Sequence, residues 1–139
     1  MNAKEFLSRY RRIDRQIDRL LERKERLFAR ITSAPSQSSG DSVSPGVHDK
    51  VGSGTVALIH YEERINAKID QLTAVQDEIE DVLSHIDDDH AELLELMYLD
   101  GKKLVQAADE LHYSYRQACR KHGKALQQVQ DVLQCPKMS

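Results

Sequence analysis

At 139 residues the chain has room for one domain, or for a small domain with an extended arm. Absence of Trp and an aromatic content of 5% argue against a large globular core, while 31% charged residues with Leu and Ile at helical steps point to an all-α protein rich in exposed helix. The net charge of −3 conceals a segregation: residues 1–32 hold 10 basic and 5 acidic groups, 33–54 hold 1 and 2, 55–101 hold 2 and 13, and 102–139 hold 7 and 3. The overall balance therefore does not exclude nucleic-acid binding, which depends on a local basic patch.

Residues 1–32 are expected to form a long basic helix from about Ala3 to Ile31. Phe6, Tyr10, Ile13, Ile17, Leu20, Leu27 and Ile31 alternate by threes and fours in a heptad-like stripe, apart from Lys24. Residues 33–54 are rich in Ser, Gly and Pro with few apolar side chains, and are expected to be a flexible linker. An acidic helix is expected within 55–86, from about Thr55 to His85. Its stripe is Leu58, Ile65, Ile69, Leu72, Ile79, Leu83 and Ile86, interrupted at Glu62 and Gln76. The two stripes suit an antiparallel hairpin, with Arg9, Arg11, Arg12, Arg15, Arg19 and Arg23 facing the carboxylates of the second helix. They suit pairing between two chains equally well, so a homodimer through the arm is an open alternative.

Residues 87–134 are expected to hold three short amphipathic helices, followed by a tail at 135–139. The middle helix should run from about Lys103 to Leu111, burying Leu104, Ala107, Ala108 and Leu111, with Ala108 small where two helices must cross closely. A turn His112-Tyr113-Ser114 follows, and the Ser114 hydroxyl can cap a helix that starts at Tyr115. In that helix Ala118, His122, Ala125, Val129 and Val132 recur on one side, leaving Tyr115, Arg116, Gln117, Arg120 and Lys124 on the other. Arg can present two donors to guanine and Gln can pair bidentately with adenine, so this face suits the major groove of double-stranded DNA. A plain solvated helix would carry the same charges.

From Ala91 to Leu133, AELLELMYLDGKKLVQAADELHYSYRQACRKHGKALQQVQDVL, the chain resembles region 4 of bacterial sigma factors. The LHYSYRQAC stretch and the opening MNAKEFLSRYRRIDRQI resemble small regulators encoded by phages and prophages of low-GC Gram-positive bacteria, in the general style of the ArpU and RinA late-gene activators. The resemblance implies a helical arm followed by a sigma region-4-like helix-turn-helix and a role in transcription of phage genes. It assigns the turn to His112, Tyr113 and Ser114 and the DNA-facing positions to Tyr115, Arg116, Gln117 and Arg120. On this reading Arg116, Gln117 and Arg120 read bases, while Ser114, Tyr115, Lys102, Lys103, Lys121 and Lys124 hold the backbone, and the arm contacts RNA polymerase or a second subunit.

Four positions depart from the family pattern. Lys103 stands where Thr or Ser would cap the middle helix, Ala107 and Ala118 where larger aliphatics pack, and Lys121 where an aliphatic would face the core. Each methylene lost removes about 0.8 kcal/mol of burial, so the module is expected either to lean on the rest of the chain or a partner, or to have lost sequence-specific DNA binding. The alternative function is a structural or interaction protein, a phage packaging component or a polymerase-binding module without specific DNA readout.

Other chemistry is not expected. His85 and His90, which flank Asp87, Asp88 and Asp89, lie five apart rather than on one helix face, so a metal site gives way to Asp87 or Asp88 capping the next helix. Cys119 and His122 lack a positioned base or further ligands, and no phosphate-binding glycine loop or nucleotide fingerprint occurs. Hence no catalytic residues, no cofactor and no enzyme are expected. Cys119 and Cys135 make no disulfide framework, no apolar run is long enough for a membrane, and charge from Lys4 onward leaves no signal peptide, so the expected location is cytoplasmic.

Overall fold

The structure, a computed structural model, describes residues 1–33 and 45–135, with only the backbone for 45–51. All regular elements among the described residues are helical: α1 (Ala3–Ser33), α2 (Pro45–Leu83), α3 (Asp88–Leu94), a π-helical turn (Glu95–Leu99) continuing α3, α4 (Leu104–Glu110) and α5 (Tyr115–Gln134). None is long and apolar enough to cross a membrane. The linker expected over 33–54 is helical at both ends, because Ser33 closes α1 and Pro45 opens α2. Pro is favoured at a first helical position, where its missing N–H would have no partner in any case. The centre of the expected linker, 34–44, and the end of the expected tail, 136–139, lie outside the described residues.

Two compact units divide the chain. The unit Asp14–Gln71 pairs α1 with α2, with Ile17, Leu20 and Ile65 buried. Lys68 Nζ donates to Gln16 Oε1 at 2.8 Å, Lys24 Nζ meets Glu62 Oε1 at 3.1 Å, and Ile31 lies against Gly54. Partner numbers fall on α2 as they rise on α1, which defines the antiparallel register. Lys24 interrupts the first apolar stripe and Glu62 is one of two interruptions of the second, and they meet each other. A polar pair in a hydrophobic seam favours one register over its neighbours. A Cβ at Gly54 would lie 2.5 Å from Ile31 Cδ1, so a larger residue there would require the Ile31 side chain to shift.

The second unit combines Met1–Ile13 with the chain from Leu72 onward. Asn2 Oδ1 accepts from the Glu5 N–H at 2.8 Å, capping α1, and the free Ala3 N–H donates to Gln130 Oε1 of α5 at 2.9 Å. Arg9 pairs with Glu78 at 2.6 Å and lies over the Phe6 ring at 4.6 Å. Leu7, Ile79, Leu93, Leu94 and Val129 are fully buried, so α1, α2, α3 and α5 all contribute to one core. The boundary expected at residue 87 thus falls inside a single compact unit. The start of α1 and the end of α2 belong with α3–α5.

Gly101 follows the π turn with a φ of 76°, in the left-handed region, and the Lys102 N–H donates to Leu96 O at 2.9 Å. The Arg11 guanidinium rests against this backbone, 2.5 Å from where a Gly101 Cβ would stand. The positive φ selects glycine here, while the Arg11 tip could shift to admit a Cβ.

Candidate nucleic-acid interface

Between α4 and α5 the chain turns through a Schellman motif. Leu111 ends α4, His112 takes φ 62°, its N–H donates to Asp109 O at 3.2 Å, and the Tyr113 N–H donates to Ala108 O at 2.8 Å. Ser114 then opens α5 with φ −67° and ψ 156°. Its Oγ accepts from the Gln117 N–H at 3.1 Å, while Gln117 Oε1 accepts from the Ser114 N–H at 3.0 Å. This is a complete capping box. Its counterpart on α4 is half-formed: Lys103 has no acceptor to offer, and the single bond runs from the Lys103 N–H to Gln106 Oε1 at 2.9 Å.

Where the two helices cross, Ala107, Ala118 and Ala125 are fully buried and Ala108 is 3% exposed. The small side chains at 107 and 118 therefore fit a close crossing rather than leaving a surface short of apolar cover. α3 is held to α5 by polar groups as well. His90 is buried, and its Nδ1 donates to Gln128 Oε1 at 2.7 Å, while Gln128 Nε2 donates to Asp87 Oδ2 at 3.0 Å. Asp87 occupies the N-cap position of α3 but makes no side-chain cap bond, because its carboxylate is turned to Gln128.

The expected contact residues separate into two groups. Arg116, Arg120 and Lys124 are exposed and follow one another at i, i+4 and i+8, one row spanning about 12 Å of helix. Among the described residues none of the three enters an ion pair or a side-chain hydrogen bond. Tyr115 is 58% exposed beside them, and a hydrogen bond with Cys119 raises its pKa.

The other group is committed within the fold. Lys121 Nζ donates to Asp89 Oδ2 at 2.9 Å and lies 4.9 Å from the centre of the Tyr113 ring. That hydrogen bond raises the Lys121 pKa and lowers that of Asp89. Lys102 is paired with Glu110. Gln117 has its oxygen occupied by the capping box, so only its amide N–H groups remain to meet a base. Lys103 is exposed, at the N-cap of α4.

Gly123, to which the sequence pattern gave no role, and His122, expected on the buried side of the helix, both bear on the stability of this region. Gly123 lies within the exposed surface of α5, and a Cβ there would meet nothing within 4 Å. A mid-helix glycine costs roughly 1 kcal/mol relative to alanine, and no neighbour among the described residues requires it. Gly123→Ala is expected to raise the unfolding free energy by about 0.5–1 kcal/mol in urea denaturation, and to weaken duplex binding if a partner backbone closes on this surface.

His122 shares a hydrogen bond with Tyr98 Oη at 3.0 Å, and the two rings stack 6.0 Å apart. Burial lowers the His122 pKa, and the nearby Lys4 lowers it further; burial also raises that of Tyr98. Since the unfolded chain then binds the proton more readily, stability linked to His122 is present above the ordinary value of about 6.5 and is lost as pH falls below it. Urea midpoints at pH 7.5 and 5.0 should differ more for the native sequence than for His122→Gln. An equal difference in both would remove this assignment.

Compared with protein-family models, with curated proteins and with solved structures, the chain matches none of them.

Proposed function

We propose that the chain is a sequence-specific DNA-binding regulator of the phage and prophage type, with α4 and α5 acting as a sigma region-4-like helix-turn-helix. The observation that supports this reading is the row Arg116, Arg120 and Lys124, unpaired among the described residues, on a helix whose N-terminus is fixed by the Ser114–Gln117 box. A capped helix presenting one row of free cations suits the major groove, with Arg116 and Arg120 at base edges and Lys124 and Tyr115 at phosphates. The sequence resemblance supplies the biological setting, transcription of late genes with contact to RNA polymerase. A two-fold dimer would demand half-sites about 34 Å apart.

The test is fluorescence anisotropy of the purified protein on duplexes tiling the upstream regions of the surrounding late genes, beside shuffled duplexes, at two salt concentrations. Binding about a thousandfold tighter to one tile is the outcome this reading requires. Weak and equally salt-sensitive binding to every duplex would reject specific recognition.

A second reading draws on Val105, 61% exposed on α4, and on Tyr115, 58% exposed at the start of α5. Large side chains in the open suit a protein partner, which would make this a polymerase-binding or assembly module. Retained polymerase binding with no duplex binding would select it.

A further inference from the structure

Within the unit Asp14–Gln71 an open cleft of about 210 Å³ is lined by Gln16, Arg19, Leu20 and Arg23 of α1 and by Arg64 and Lys68 of α2. Four of the six lining residues are cations and none is a carboxylate. Charge pairing between the helices would predict the opposite. Residues 55–101 contain 13 acidic groups and only two basic ones, and those two are Arg64 and Lys68. The acidic helix therefore presents its two cations to the arginines of α1.

Arg19 and Arg23, like Arg64 and Lys68, are also like-charged neighbours at i, i+4, an arrangement that destabilises isolated helices unless something neutralises it. Gln16 Oε1 is occupied by Lys68 at 2.8 Å, and Arg19 Nε is turned to Arg15 O at 3.4 Å, leaving its terminal nitrogens unused by that bond. The Lys68 ammonium also donates to Gln71 Oε1 at 3.4 Å, and the Arg64 guanidinium lies 5.9 Å from the centre of the Tyr61 ring. Leu20, 5% exposed, closes the floor with apolar surface. Three planar guanidinium groups and an ammonium around one small opening match a group with several negative charges on few atoms, because Arg donates two parallel hydrogen bonds to phosphate.

We propose that this cleft binds phosphate groups, supplied by a free polyphosphate compound or by a nucleic-acid strand. The site involves no residue of α5, so it stands or falls separately from the reading of that helix.

Calorimetric titration of the full chain with inorganic tripolyphosphate, with a random-sequence duplex and with polyglutamate as a carboxylate control tests it. Two variants are compared with the native sequence: Arg23→Gln/Arg64→Gln in the cleft, and Arg26→Gln/Arg30→Gln, which removes the same charge from exposed positions outside it. All these side chains are exposed, and unchanged helicity by circular dichroism verifies the fold. Tripolyphosphate should bind the native chain and lose about tenfold or more in affinity in the cleft variant, with the control nearly unchanged. A cleft-specific loss for the duplex as well assigns the phosphate to a strand, whereas an unchanged duplex affinity assigns it to a free compound. Equal losses in both variants, no cleft-dependent binding of either probe, or tighter cleft-dependent binding of polyglutamate than of tripolyphosphate would each overturn the proposal.

Discussion

Leu93→Ala is expected to lower the unfolding free energy by about 2–5 kcal/mol, a large fraction of the roughly 5–15 kcal/mol that holds an ordinary domain together. Leu93 is fully buried on α3, a helix of 7 residues. A helix that short does not persist on propensity, so its stability comes from the face it buries. Truncation leaves a cavity beside the neighbouring Leu94, itself fully buried. The companion variant is Ile79→Ala on α2, upstream of α3–α5. Ile79 is fully buried in the same compact unit, so its loss should lower the urea midpoint of α3–α5 by a comparable amount. Leu21, 43% exposed on α1, serves as the control, with a change of about 0.5 kcal/mol or less on truncation to alanine. A native-like transition of α3–α5 in Ile79→Ala, with the loss confined to the long helices, would show that the two long helices contribute nothing to this core.

The long helices were legible in the sequence because a two-helix seam buries one stripe at steps of three and four. Phe6, Ile13, Ile17, Leu20, Ile65, Ile79 and Leu83 lie on the expected stripes and are buried. Leu7, Val75 and Val82 are buried off those stripes, within the unit where α3–α5 supply further neighbours. A helix with more than one partner buries a wider arc than a hairpin seam requires, and periodicity alone gives no width. Ile69 stood on the expected stripe and is 43% exposed, in the other unit. The arginines diverged in the same way: Arg9 reaches Glu78 as charge segregation suggested, but Arg19 and Arg23 line one cleft with Arg64 and Lys68. Net charge per segment carries no information about which face each charge occupies.

In the candidate interface the turn residues were readable, because αL geometry and Ser capping have local signatures. The state of each polar side chain was not. Lys121 was expected on the DNA backbone, and it is hydrogen-bonded to Asp89, 32 positions away in sequence. The His90–Gln128–Asp87 connection is equally non-local. Such bonds depend on which helices pack together, and a single helix pattern contains nothing that specifies them.

Replacing Arg116 or Arg120 by alanine is expected to weaken binding to a specific duplex by about 1–3 kcal/mol while changing binding to shuffled sequence much less. Both are free of internal partners among the described residues, and they stand about 6 Å apart along α5 near its capped end, within reach of neighbouring base pairs. Lys124, one turn further along, should act differently. Lys124→Ala is expected to weaken binding alike on every duplex and to reduce the slope of log K against log salt by about one unit, as loss of one phosphate contact requires. Gln117→Ala separates reading from folding. Because Gln117 Oε1 completes the capping box, its removal should lower the urea midpoint as Ser114→Ala does, by about 1 kcal/mol, and leave the ranking of duplexes unchanged. Anisotropy titrations of the four variants on specific and shuffled duplexes decide the matter. Equal losses on both duplexes for Arg116→Ala, Arg120→Ala and Lys124→Ala would reduce the row to a phosphate-binding stripe, since a base contact cannot be lost without changing the preference it creates.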